Sequence, residues 1–329
     1  MDRVDELRRI IHLDESSGLI DLNELDAYTD FLFPSESNEL RFFFWMVTLR
    51  ILPLDRSEWD GTMVKMLNDY ASLADEFLPN REELLNSPMD EDFSQKIVQE
   101  QKRRVFREIH GDVLRSSGFF SSFTEIGVDI SRASRGMEII LFIFASTDTY
   151  IQGFHDIVAT FYLVVQMAAK VLGFDEEEVE AYTFTFFKSL ITTTTLGDIY
   201  RLLQDPPKLM ERFKVIKEIV YRKQREFAVF LFEKNNIDVT SFCFEWIACL
   251  YTRQLSVENS LQLWDIMFTR REHISEFCLV FGAAFILFNK SKLEKMNQAS
   301  ISTFLSRSTD FNLIPLLRIT SILWSEEYE

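Results

Sequence analysis

Val257-Glu-Asn-Ser-Leu-Gln-Leu-Trp-Asp-Ile-Met-Phe268 places Val257, Leu261, Trp264 and Phe268 at intervals of four, three and four residues. Side chains so spaced fall on one face of a helix, so the stretch predicts an α-helix whose apolar stripe packs on a core. The surrounding interval admits little else. Between Pro207 and Pro315 there is no proline and a single glycine, Gly282, so consecutive helices with short polar joints are expected over about 208–233, 239–253, 257–268, 274–288 and 297–306. Composition agrees with an all-α fold. Ten Gly and 7 Pro in 329 residues are too few for a turn-rich β protein, and 47% hydrophobic residues with 32 Phe supply a large aromatic interior.

Working towards the N-terminus, Ile20–Phe33 and Leu40–Leu52 read as helices separated by Pro34-Ser-Glu-Ser, and Ser57–Phe77 as a third. Residues 79–92 carry Pro79 and Pro88 among polar groups and are expected to form a long loop. Phe93–Arg115 then reads as a charged amphipathic helix, Gly118–Gly127 as a Ser/Phe-rich connector, and Asp129 as the cap of an apolar helix ending near Ala145. A turn at Ser146-Thr-Asp-Thr leads through Tyr150-Ile-Gln-Gly into an apolar helix, Ile157–Leu172. Gln152 and the Gly153 amide thus fall at a helix N-terminus, a place suited to phosphate-like anions. No internal repeat is visible, and a single all-helical domain is the economical reading.

Charge narrows the partners. A net charge of −17 and a pI near 4.8 argue against nucleic acid, whose binding needs a basic footprint that releases counterions. The one dense basic run, Lys102-Arg103-Arg104 with Arg107, lies between Glu100 and Glu108 and reads as a solvated helix face. Cys243, Cys249 and Cys278 lie in apolar segments without histidines at metal-ligand spacing and read as reduced core thiols. Met1-Asp-Arg-Val-Asp-Glu lacks the build of a secretory signal, and the longest apolar candidate, Phe277–Phe288, is too short to span a membrane. A soluble intracellular protein is the expectation.

Two short segments carry the chemistry: Ile109-His-Gly-Asp-Val-Leu-Arg-Ser116 and Tyr150-Ile-Gln-Gly-Phe-His-Asp156, with 152 − 115 = 37 residues from arginine to glutamine. A guanidinium can neutralise charge on a transferring phosphoryl group, and a carboxamide can both donate to and accept from an attacking water. By itself Asp112-x-x-Arg115 is an ordinary helical ion pair. The second segment gives it meaning.

Over roughly residues 38–305 the chain resembles the TBC-domain family of Rab GTPase-activating proteins. Ile109, Asp112, Arg115 and Ser116 match one family motif, without its usual following proline; Tyr150, Gln152, Gly153 and Asp156 match a second. Leu263-Trp264-Asp265, Trp246, and Leu40-Arg41 with Trp45 and Leu52-Pro53 resemble further family features. The resemblance implies a TBC domain at 38–305, between an N-terminal helical extension at 1–37 and a C-terminal helical tail at 306–329. It further implies catalysis in trans: Arg115 stabilises charge on the γ-phosphoryl group, Gln152 orients the water, and Asp112 holds the guanidinium in a bidentate pair. Tyr150, Gly153 and Asp156 support the glutamine turn, and His155 packs rather than acting as a base. No cofactor is implied, because GTP and Mg²⁺ arrive with the partner GTPase and no Gly-x-x-x-x-Gly-Lys-Ser/Thr loop is present.

Residues 152–165 are most similar to the member-20 type, where histidine precedes the motif aspartate, supported by Asp205-Pro206 and Met210. That type resembles a regulator of early secretory Rabs at the endoplasmic reticulum. It implies a cytoplasmic protein and leaves peripheral association with endomembranes such as the endoplasmic reticulum or Golgi open. Two other arginines imitate the first motif. Arg132 stands only 152 − 132 = 20 residues before Gln152 and falls inside the helix leading to Tyr150; such a helix, about 15 residues and roughly 22 Å long, leaves no separate loop for it. Arg103 follows glutamate in place of aspartate and sits mid-helix, so Arg115 is preferred. The alternative function is a catalytically silent TBC protein that binds a Rab as a scaffold subunit.

Overall fold

A computed structural model describes residues 3–28, 37–97, 99–202, 205–306 and 312–328. Helices make up the fold, and the described residues contain no strand, only an isolated bridge between Leu19 and Asp55. The chain divides into two compact units, residues 1–192 and 193–329.

The first unit runs through α1 (Arg3–Ile10), α2 (Leu22–Tyr28), α3 (Asn38–Thr48), α4 (Trp59–Phe77), α5 (Arg81–Leu85), α6 (Glu100–Val113), α7 (Ser117–Glu125), α8 (Ile130–Thr147), α9 (Phe154–Leu172) and α10 (Glu176–Thr193). Its centre is α9, which packs against α3, α6, α7 and α8 and buries every residue from Phe154 to Val165. By length and composition α9 could cross a membrane, yet 72% of its apolar window is buried inside this unit. Aromatic rings supply much of the contact. Phe161 stacks on Phe186 at 5.1 Å, and Trp45 meets both edge-on. At the other end of α9, Phe154 joins Phe144 and Phe187 in a cluster with centroids 4.7–5.9 Å apart. Asp129 caps α8 by accepting from the Arg132 amide at 2.8 Å, as its sequence position indicates.

Local departures from the sequence reading have physical causes. The expected helix over 93–115 is broken into a 3-10 turn, Phe93–Lys96, and α6. Asp92 caps the first piece, and the Ile97 carbonyl is taken by two nitrogens of the Arg103 guanidinium at 2.9 and 3.0 Å. The expected connector at 118–127 is mostly helix, α7, because Phe119 and Phe123 are four apart and both buried; burial overrides weak Ser and Gly propensity. The loop at 79–92 contains α5, with Leu84 and Leu85 buried. Of the helix expected over 20–33, residues 22–28 form α2, while 29–33 lie outside the described residues, as does most of the Pro34 separator.

The second unit contains α11 (Leu196–Arg201), α12 (Pro206–Lys223), α13 (Arg225–Ala228) continuing into a π-helical turn at Val229–Lys234, α14 (Thr240–Ala248), α15 (Val257–Thr269), α16 (Ile274–Phe288), α17 (Lys290–Leu293), α18 (Gln298–Ser306) and α19 (Leu313–Tyr328). The helix expected over 208–233 is interrupted at Gln224, which leaves helical geometry. Here α16 is the core, packed by α12 and α19. Its one glycine, Gly282, admits the Tyr251 ring: a Cβ there would stand 2.8 Å from the Tyr251 hydroxyl, which donates to the Cys278 carbonyl at 2.7 Å. All three cysteines are buried and unbridged.

Candidate functional site

The site begins where α6 ends. Carbonyls of His110, Asp112 and Val113 accept from the amides of Leu114, Arg115 and Ser116 at 3.1, 3.0 and 2.9 Å, tightening the last turn as helix ends often do. The chain then enters α7 with Ser116 buried. Arg115 points outward, its side chain 60% exposed.

Gln152 is presented by the connector between α8 and α9. Gly153 sits at φ +113° as the N-cap of α9, a left-handed conformation that glycine adopts without a Cβ penalty. The Phe154 amide donates to the Ile151 carbonyl at 3.1 Å, and the Phe154 ring is fixed between Phe144, Phe187 and an edge-on Tyr150. Gln152 is exposed at the tip of a turn between the half-buried Tyr150 and Ile151 and the buried Gly153 and Phe154.

Asp112 joins the two segments. Its carboxylate is only 1% exposed and accepts from three side chains. Oδ2 takes the Tyr150 hydroxyl at 2.7 Å. Oδ1 takes a terminal nitrogen of the Arg115 guanidinium and, at a long 3.5 Å, the Gln152 Nε2. The ion pair is therefore single-pronged rather than the bidentate one expected: the guanidinium reaches Oδ1 alone, and Oδ2 serves the Tyr150 hydroxyl. Burial first, then the bond to Asp112, push the Tyr150 phenol far above its ordinary value, so it remains a donor. Beneath them His155 is fully buried, with Nδ1 3.8 Å from Asp112 Oδ2 and Nε2 3.7 Å from Asp156 Oδ1.

This arrangement offers solvent one cation and one carboxamide, tethered to a common buried anion. The other two arginines are engaged elsewhere: Arg132 pairs with Glu176, and Arg103 with the Ile97 carbonyl and Glu100. Leu263-Trp264-Asp265 lies on α15 in the second unit, where the buried Trp264 indole donates to the Leu250 carbonyl at 3.1 Å and that of Trp246 to the Leu305 carbonyl at 2.8 Å. Sequence reading passed over Arg135 and Glu138, wholly buried on α8. The available signal was two opposite charges three residues apart in an otherwise apolar helix.

Residues 38–294 match the Rab-GTPase-TBC domain family, and the chain belongs to that family. Over 349 aligned residues it is 24% identical to the GTPase-activating protein gyp1 of Schizosaccharomyces pombe, covering 100% of this chain and 62% of that protein. TBC1 domain family member 22B of Homo sapiens is 24% identical over 299 residues, 87% of this chain and 53% of its own. The chain thus spans between half and two thirds of the length of these relatives. Its fold is that of the crystal structure of the Ypt/Rab-GAP domain of Gyp1p: TM-score 0.74 at 17% identity, over 99% of this chain and 98% of that one.

Proposed function

We propose that this chain accelerates GTP hydrolysis by a Rab-type small GTPase, supplying Arg115 and Gln152 in trans. The observation that supports this reading is the shared tether: two exposed side chains from separate connectors donate to one oxygen of Asp112. Arg115 swings from Asp112 to the β/γ-bridge and γ-phosphoryl oxygens, where a guanidinium offsets developing charge; such arginines contribute about 10³- to 10⁵-fold in rate. Gln152 orients the attacking water through its paired donor and acceptor. Asp112 and Tyr150 keep both side chains near their working positions before the partner arrives. GTP and Mg²⁺ belong to the partner, and the chain contributes no cofactor of its own.

Within this reading, residues 38–305 form the TBC domain, flanked by an N-terminal extension at 1–37 that contains α1 and α2 and a C-terminal tail at 306–329 that contains α19. The member-20 type is supported by residues 152–165, and His155 in particular. By its resemblance to that type, the proposed place of action is the cytoplasm, with endomembranes such as the endoplasmic reticulum or Golgi as the surfaces to examine. The test is phosphate release from a panel of GTP-loaded Rabs. Arg115→Ala is expected to lose about 10³-fold or more in kcat/KM, and Arg115→Lys to recover little, because an ammonium lacks the planar fork. Gln152→Ala should lower kcat with a smaller effect on KM. An Arg115→Ala protein as active as wild type refutes the assignment. A wild type that binds GTP-loaded Rab without accelerating hydrolysis supports the silent scaffold instead.

A further inference from the structure

Asp112 holds the finger turn from one side, and a second buried network grips the same turn from another. Glu138 on α8, fully buried, accepts from His110 Nδ1 on Oε1 at 2.8 Å and from Arg135 on Oε2 at 2.5 Å. A carboxylate paired with a guanidinium only accepts, so the His110 Nδ1 carries the proton in this contact. Arg135, also fully buried, spends its remaining nitrogens on backbone carbonyls of the segment after α5: Glu91 at 2.8 Å, Pro88, and Ser87 at 3.5 Å. Three pieces of chain therefore meet on one ion pair. Residues 87–91, α8 and the last turn of α6 are fixed together.

His110 is where this network reaches the site. Its carbonyl accepts the Leu114 amide at 3.1 Å in the turn that presents Arg115, while its imidazole is anchored to α8. It stands two residues before Asp112, so the two side chains leave α6 about 200° apart. Asp112 reaches the Tyr150–Gln152 connector and His110 reaches Glu138. The final turn is clamped between them, and a turn that projects a long, exposed arginine needs such fixing if the guanidinium is to be delivered without a search.

We propose that His110, held by the Glu138–Arg135 pair, is a positioning residue for Arg115. It touches neither nucleotide nor partner, and acts by fixing the turn that presents the arginine. The proposal rests on the reading of Arg115 and Gln152 as groups supplied to a GTPase. His110→Ala is expected to lower kcat of stimulated hydrolysis roughly tenfold with KM within about twofold. His110→Asn, whose amide nitrogen mimics Nδ1, should recover most of the loss. In an Arg115→Ala background His110→Ala should change the rate less than about twofold, because the two residues act as a unit. Should His110→Ala fail to fold, His110→Gln, which keeps the bulk but displaces the donor, takes its place.

Hydrogen exchange of residues 111–117 is measured on the same variants without any partner, and is expected to quicken roughly tenfold in His110→Ala and not in His110→Asn. The proposal is overturned if His110→Asn is no better than His110→Ala, if the loss persists in full without Arg115, or if exchange in this turn is unchanged. If no Rab responds to wild type, the functional reading fails and the exchange measurement alone decides whether His110 fixes the turn.

Discussion

Asp112 has two oxygens and both are assigned, one to Tyr150 and one to the Arg115–Gln152 pair. A buried carboxylate that loses a donor keeps its desolvation cost without its compensation. Tyr150→Phe, which removes only the hydroxyl, is therefore expected to cost about 1–3 kcal/mol in urea unfolding, and to lower stimulated hydrolysis by loosening the tether. An unchanged unfolding midpoint would mean that the Tyr150–Asp112 bond contributes nothing. The resemblance of two motifs to those of TBC domains singled out Asp112, Arg115, Tyr150 and Gln152 in the sequence, and the structure brings the four together. That Gln152 shares an oxygen with Arg115 was not legible, because it depends on how the α8–α9 connector lies across the end of α6. His110 was hidden for the same reason: its partner is 28 residues away.

Among the elements, legibility followed the strength of the apolar period. The helix expected at 274–288 is α16 to the residue, and 257–268 differs from α15 by one, because both are uninterrupted and deeply buried. Failures fell where a particular side-chain contact or burial overrode the local pattern. Arg103 captures the Ile97 carbonyl and splits a helix; Phe119 and Phe123 make one where propensity is weak. Gly282 shows the opposite conflict. Replacing a helical glycine with alanine ordinarily gains up to about 1 kcal/mol, but here the new methyl would stand 2.8 Å from the Tyr251 hydroxyl, 3.0 Å from Ile216 and 3.2 Å from Trp246. Overpacking of this kind costs about 1–3 kcal/mol, so Gly282→Ala should destabilise in denaturant titration. A gain in stability would show that the contact relaxes freely.

Over the whole molecule, both units bury tyrosines. Burial holds the hydroxyls of Tyr70, Tyr150, Tyr200 and Tyr251 far above their ordinary value. A folded value raised above the unfolded one favours the protonated, folded state. That contribution is complete below the unfolded value of about 10 and is lost as pH climbs from there towards the folded values. Alkali should therefore unfold the protein cooperatively, with tyrosinate absorbance and loss of helical circular dichroism rising together. Ionisation of these tyrosines near pH 10 with the helices intact would contradict their burial.

The oxygen Asp112 Oδ1 accepts from both Arg115 and, at 3.5 Å, Gln152, so the two side chains answer to one buried charge. Removing either from that oxygen leaves the other as its compensating donor there and holds it more firmly. On the proposed function, a GTPase that takes up both groups must therefore compete with this carboxylate for them.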